Sequence, residues 1–323
     1  MPRIQKWLSF FSALLVMVGT AYAQEKYPSK PIKLIVPLNP GGVNDQIARA
    51  FAAGMSETLG QQVLIENRGG ASGVVGANLV AKAPPDGYTL CFCFSAPVTL
   101  VKYSMGALPY DIDNAFKPVT RVFDLIPMIT VPASSPYSSL TELLKAAKEN
   151  PGMAYGHTGT GGALHLGFEL LLDEARVDMT EVGYPGENPI VPDLATGRLT
   201  AGTLSALFAK RQAAAGRVKI LASMGSSSPV PGVPTVAELG FPGFHVASWS
   251  GFFLPAGTPE PIVQKLYTAI QRALSDPEIR GRLTDAGLTP VVGQTPEQFA
   301  AFIAQEKLKW DRVVKKIGGL KKN

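Results

Sequence analysis

The sequence predicts an α/β protein of two lobes, each a mainly parallel sheet flanked by helices, with a cleft between the lobes. Three observations carry this expectation. Strand-like and helix-like segments alternate along most of the chain, the pattern of a parallel sheet covered by helices. Two strand–loop–helix junctions recur with the same glycine-rich chemistry, "VPLNPGGVNDQ" at 36–46 and "GHTGTGGALH" at 156–165. With 323 residues, 46% of them hydrophobic, the chain is long enough to prefer two cores over one.

The elements follow in order. Residues 1–23 read as a secretory signal peptide: Arg3 and Lys6 form a basic start, "WLSFFSALLVMVG" is apolar, and "AYA" precedes a cleavage point near Ala23/Gln24. The apolar run is too short to span a bilayer comfortably. The residue directly after the cleavage point is Gln24, not a cysteine, so no lipoprotein anchor is indicated; no other stretch reads as transmembrane, and a soluble protein exported to the periplasm is expected. "IKLIVPL" is a strand. In the helix "NDQIARAFAAGMSETLG", Ile47, Phe51, Met55 and Leu59 recur every fourth residue as one stripe. Asn44 or Asp45 is its expected N-cap and Gly60 its end. "QVLIEN", the helix "GVVGANLVAKA" and "YTLCFCF" complete a first unit. "PVTRV" and "PMITVPASS" are two strands close together. Four further helix–strand alternations follow up to "VKILASMG", and "SWSGFFLPAGTP" with three helices closes the chain. The expected division is 24–124 plus 249–323 for the first lobe and 125–248 for the second.

Charge and composition exclude several functions. Removal of Arg3 and Lys6, with no acid in 1–23, lowers the formal charge from +5 to +3. Basic residues are dispersed apart from the tail "KKIGGLKKN", which gives no footprint for nucleic acid or an anionic membrane. Cys91 and Cys93 share one face of a strand and read as two buried thiols, because neighbours on one strand rarely meet disulfide geometry. The three histidines, His157, His165 and His245, show no metal-ligand spacing, and no metal or cofactor is expected. No Gly-x-Ser-x-Gly elbow, His-Glu-x-x-His or Ser/His/Asp set is present, so no catalytic residue is assigned. Asp45 and Glu187 read as capping and surface groups rather than a catalytic carboxylate pair.

The two junctions are the candidate sites. At Gly41, Gly42, Val43, Asn44 and Asp45, glycine lets the backbone approach a ligand, and the following helix presents unpaired amides at its positive end. Alone, the same residues serve equally as a tight turn. At Thr158, Gly159, Thr160, Gly161 and Gly162, two hydroxyls and bare amides precede a helix that carries His165, which reads equally as a loop-facing or a helix-surface residue. No Gly-Lys-Ser/Thr follows, so it is not a P-loop. One anion-ready loop in each lobe suits a protein that closes on a carboxylate.

Beyond single motifs, "YPSKPIKLIVPLNPGGVNDQIARA", "LIENRGGASGVVGANLVAKAPPDGYTL", "YGHTGTGGALHLG", "GVPTVAELGFPGF" and "SWSGFFLPAGTP" together resemble the Bug (TctC-like) family, the extracytoplasmic solute receptors of tripartite tricarboxylate transporters. The resemblance spans the mature chain. It implies a Venus-flytrap fold, no catalysis, a carboxylate ligand held by the two loops, a monomer, and TctA/TctB-like membrane partners. It carries Gly41, Gly42 and Asp45 onto the first loop and Gly159, Gly161 and His165 onto the second. Ser95 matches a serine after the third strand, Tyr184 and Gly186 a Tyr-x-Gly element, and Trp249 a tryptophan near the hinge. Val43 and Asn44 depart from the family's small and hydroxyl residues, Leu38 from an aromatic, Phe94 from a small residue and Pro185 from a polar one. Thr200 and Leu204 stand where the family commonly has Asp. The loss at Leu204 disfavours a ligand with an ammonium group. The expected ligand is a dicarboxylate or another non-amino carboxylate, with an apolar or aromatic body near Phe94, Leu204 or Trp249. A sensor of the same fold, or an exported enzyme acting on a carboxylate, is the alternative.

Overall fold

The computed structural model describes residues 27–158, 160–316 and 319; the expected signal peptide lies outside the described residues. The first sheet is organised around β1 (Ile32–Val36), four of whose five residues are buried. It pairs in parallel with β2 (Val63–Asn67) and β3 (Thr89–Phe94) on either side. Helix α1 (Val43–Leu59) links β1 to β2. Its stripe faces the sheet: Phe51 and Met55 are fully buried, Ile47 nearly so, and Leu59 packs half-buried against the same core. Gly60 ends the helix at φ 67°, a left-handed conformation that glycine adopts without steric cost. Helix α2 (Val74–Ala81) links β2 to β3, and an irregular helical stretch at 96–104 leaves β3.

The chain then crosses between lobes. β4 (Phe116–Leu125) belongs to the first sheet and β5 (Pro127–Pro132) to the second. Helix α3 (Leu140–Glu149) starts at Ser139, whose Oγ accepts the Glu142 N–H at 3.2 Å. β6 (Ala154–Thr158), α4 (Ala163–Ala175), β7 (Thr180–Tyr184), α5 (Ile190–Ala195), β8 (Ala201–Ser205), α6 (Ala206–Ala214) and β9 (Val218–Ser223) complete the second lobe. β10 (Ser248–Pro255) returns to the first sheet. It is followed by α7 (Glu260–Ser275), α8 (Pro277–Asp285), β11 (Thr289–Pro290) and α9 (Pro296–Lys316). The strand orders are β11-β4-β10-β3-β1-β2 and β7-β6-β8-β5-β9.

Both sheets are mixed rather than mainly parallel. Within each lobe β1 runs parallel to β2 and β3, and β6 parallel to β7 and β8. The strands that carry the chain out of a lobe and back, β4, β5 and β10, pair antiparallel with their neighbours. In the first sheet, β4, which leaves the lobe, lies beside β10, which re-enters it.

Each lobe has its own core. In the first, Phe51, Phe92 and Phe252 meet with ring centroids 5.0–6.1 Å apart, backed by Leu266, Ile270 and Leu274 of α7. Full burial of each phenylalanine contributes about 1.5–3 kcal/mol relative to exposure. Helix α9 joins both cores. Phe299 and Ile303 pack with Trp249 and Phe253 on the first sheet, whereas Trp310, Val313 and Val314 sit in the second lobe's core. The expected assignment of all of 249–323 to the first lobe therefore does not describe where the last turns of α9 pack.

Cys91 and Cys93 form a disulfide, not two thiols, with a Cα–Cα separation of 5.4 Å. The strand places both side chains on one face, and this separation falls inside the range of about 4.4–6.8 Å that a disulfide bridges. Among the described residues, no helix is long and apolar enough to cross a membrane.

Candidate functional site

The two glycine-rich junctions have the same construction. Gly41 (φ 90°) and Gly161 (φ 79°) take left-handed conformations, and the next glycine, Gly42 or Gly162, caps the helix that follows. Neither cap has a side chain to satisfy the helix. Instead a residue at the third helical position reaches back. Asp45 Oδ2 accepts the Gly41 N–H at 2.9 Å, and His165 Nδ1 accepts the Gly161 N–H at 3.0 Å. Asp45 is thus not the N-cap, and neither is Asn44; Gly42 holds that place because only there does the chain leave the helical conformation. The amides at 42–44 and 162–164 open their helices, where no carbonyl of the same helix can receive them, at the positive end of the helix dipole.

Both back-bonding side chains are buried and held from outside the loop. Asp45 also accepts from Asn67 Nδ2 at 2.9 Å and from Arg49 Nε at 3.1 Å. Burial pushes its pKa up, but the bonds from Gly41, Arg49 and Asn67 outweigh it and hold the carboxyl below its usual range. His165 stacks on His157 with centroids 4.1 Å apart, and burial with the neighbouring His157 pushes its pKa down to about 3. His165 is therefore neutral at pH 7. Because Nδ1 accepts, Nε2 carries the proton and donates it to Glu181 Oε2 at 2.6 Å.

His157, His165 and Glu181 bring three potential metal-ligating atoms within 4.8 Å of one another, a cluster that sequence spacing conceals. A metal would need the Nε2 lone pair of His165, where the proton sits. The three side chains are instead joined by hydrogen bonds: His157 Nε2 also meets Glu181 Oε2, at 3.2 Å, while the buried His157 Nδ1 has no partner. Its effect is to fix the Gly161 amide.

Two adjoining cavities lie between the lobes and share Thr158 and Leu164. The smaller, about 200 Å³, is bordered by Ser72, Phe94 and Ser95 on one side and by Thr160, Gly161 and Gly162 on the other. The larger, about 540 Å³, is bordered by Val43 and Gly287 from the first lobe and by Gly186, Glu187 and Ser205 from the second. Val43, half-exposed at the first position of α1, faces this space. Gly287 packs so closely on Leu207 that an added Cβ would come within 2.5 Å of it, so the lobes touch here.

Several expected site residues lie elsewhere. Leu204 is fully buried in the second lobe with Met128, Ile190 and Leu194 and borders neither cavity. Trp249 is fully buried against Phe253, Phe299 and Phe302. In both cases the neighbour on the strand, Ser205 or Ser248, borders the cleft, because successive strand side chains point to opposite faces. Ser248 Oγ lies 3.3 Å from Ser95 Oγ in the wall of the small cavity. Leu38 packs on the first lobe's core. Tyr184 donates its hydroxyl to Asp193 Oδ2 at 2.6 Å, which draws it away from the cleft. Gly159 lies outside the described residues. Glu187, read as a surface group, is half-buried in the cavity wall; the polar Ser205 at the end of a buried strand was the one sequence signal that could have indicated it.

Comparison with known proteins identifies the family. The family model described as "Tripartite tricarboxylate transporter family receptor", TctC, matches residues 47–319. Protein BugT of Bordetella pertussis is 33% identical over 322 residues, covering 98% of each chain. A protein of R. palustris solved with adipate superposes with a TM-score of 0.76 at 32% identity, covering 91% of this chain and 99% of its own. MatC from Rhodopseudomonas palustris with bound malate gives a TM-score of 0.73 at 32% identity, covering 89% and 99%. Matched along most of its length by sequence and by fold, the chain belongs to the TctC (Bug) family of periplasmic solute-binding receptors.

Proposed function

We propose that this receptor captures a small carboxylate in the cleft between its lobes, closes on it, and presents it to TctA/TctB-like membrane components, without chemical turnover. The observation that carries the reading is the pair of matched helix starts. The start of α1 borders the larger interlobe cavity through Val43, the start of α4 borders the smaller through Gly162, Ala163 and Leu164, and each loop carries an internal bond to Asp45 or His165. A carboxylate between them would accept from both lobes at once and so would stabilise only the closed arrangement. The relatives solved with adipate and with malate support an organic acid as the ligand. The apolar start of the chain supports export, with the mature protein beginning near Gln24.

The test is a thermal-shift screen of the mature protein against mono-, di- and tricarboxylates, with amines and sugars as controls. A ligand at a hundred times its Kd adds about 2.7 kcal/mol of stability, a readily visible rise in Tm. A carboxylate should give that rise. Shifts from amines or sugars with none from any carboxylate would overturn the reading.

A further inference from the structure

We propose that Glu187 selects the far end of the ligand, so that the bound molecule is a carboxylate whose opposite end carries a hydrogen-bond donor, an ammonium or a hydroxyl, rather than a second carboxylate. This rests on the carboxylate reading above and names its substrate class. Glu187 follows β7 and borders the larger interlobe cavity. Ser205, the last residue of β8, fixes it there. The Ser205 amide donates to Oε1, and the Ser205 hydroxyl donates to Oε2 at 2.9 Å. One residue supplies both bonds. Each oxygen therefore keeps acceptor capacity, since an ionised carboxylate offers about four lone-pair sites. Among the described residues, no cation pairs with it.

A carboxylate sheltered from water without a counter-charge is unfavourable, and burial raises the pKa of Glu187 against the two bonds from Ser205. A donor arriving with the ligand satisfies it. A second carboxylate would instead meet a like charge in a partly desolvated space. Arg211 borders the same cavity and has the opposite preference, but it is exposed, and solvent and salt screen its charge far more than that of Glu187. Leu164, Leu207 and Phe208 line the remaining wall and suit a methylene chain between the two polar ends. The sequence disfavoured an ammonium because Leu204 stood in place of an acid. Leu204 turns out to lie in the core, and Glu187 brings an acid to the neighbouring Ser205.

Two length-matched sets test this by titration calorimetry: butyrate, succinate, γ-hydroxybutyrate and γ-aminobutyrate, and caproate, adipate, ε-hydroxycaproate and ε-aminocaproate. In at least one set a donor-terminated member should bind about tenfold or more tighter than the dicarboxylate, the size of one charge-assisted hydrogen bond. Glu187→Gln, which keeps an acceptor for Ser205, should erase that margin. A dicarboxylate that binds as well as or better than both donor-terminated members in each set overturns the inference and leaves the carboxylate reading standing. A folded Glu187→Gln protein that keeps the wild-type ratio overturns it in the same way; if that variant does not fold, the wild-type ranking decides alone. Binding by no member of either set overturns the inference, and the thermal-shift screen above then decides the carboxylate reading by itself.

Discussion

Asp45 shows how much one side chain contributes to a binding loop. It accepts three hydrogen bonds, from the Gly41 amide, Asn67 and Arg49, while itself buried. Asp45→Ala should cost about 1–2 kcal/mol in denaturant unfolding, because three part-buried hydrogen bonds to a charged acceptor are lost and its donors are left to water. Asp45→Asn, which keeps an acceptor, should cost clearly less. The Arg49 pair adds little, because its guanidinium is more than half exposed. An Asp45→Ala protein as stable as wild type would show that the loop does not depend on this carboxylate. The glycine turns were legible from sequence, but the back-bonds from Asp45 and His165 were not, since Asp45 read as an N-cap and His165 equally as a helix-surface residue. Nor was orientation on the strands. Leu204 and Trp249 were expected in the cleft, and Ser205 and Ser248 occupy it. With period-two alternation, an error of one residue exchanges core for cleft, and nothing local to "TLSA" or "ASWS" decides which face is which.

The element on which the proposed binding chemistry rests is the helix start. α1 and α4 reach the same construction with different acceptors, a carboxylate in one and an imidazole in the other. The choice of histidine makes the second loop sensitive to acid. His165 has an unfolded pKa near 6.5 and a folded value pushed down to about 3 by burial and His157. The unfolded chain therefore takes up a proton first as pH falls. The stability contributed by neutral His165 is complete above pH 6.5 and is lost as pH falls from there toward 3, at no more than about 1.4 kcal/mol per pH unit. His157 and His245, also pushed down chiefly by burial, add losses of the same sign. His165→Asn places an amide oxygen where Nδ1 accepts but cannot take up the proton. Urea unfolding at pH 7 and pH 5 should give a smaller difference for this variant than for wild type. An equal difference would remove His165 from the acid response. Existence and order of these helices were legible from the apolar periodicity. The cap was not: Asn44 and Asp45 are better N-cap residues than Gly42 by preference, yet the back-bond from Asp45 requires it to sit inside the helix.

At the scale of the whole molecule, two separately cored lobes meet across adjoining cavities, and three features tie them together: the β4–β5 crossing, the return through β10, and α9 packed on both cores. The two-lobed α/β plan followed from the alternation of elements and the repeated junctions. The mixed direction of the sheets did not, because strand direction depends on how the chain passes between lobes, which no local pattern encodes. Nor did the second half of α9 announce its partner: its stripe is equally apolar wherever it packs. On the proposed reading, this connectivity holds each glycine loop within its own lobe, so that closure changes the gap between them. The most direct test is a crystal structure of the mature protein with the carboxylate that raises its Tm most. The predicted result has the ligand carboxylate between α1 and α4, hydrogen-bonded directly or through one water to amides at 42–44 and at 162–164. A carboxylate seated elsewhere, such as in the second-lobe cavity bordered by Pro132, Asn188 and Arg217, with both sets of amides untouched, would contradict it.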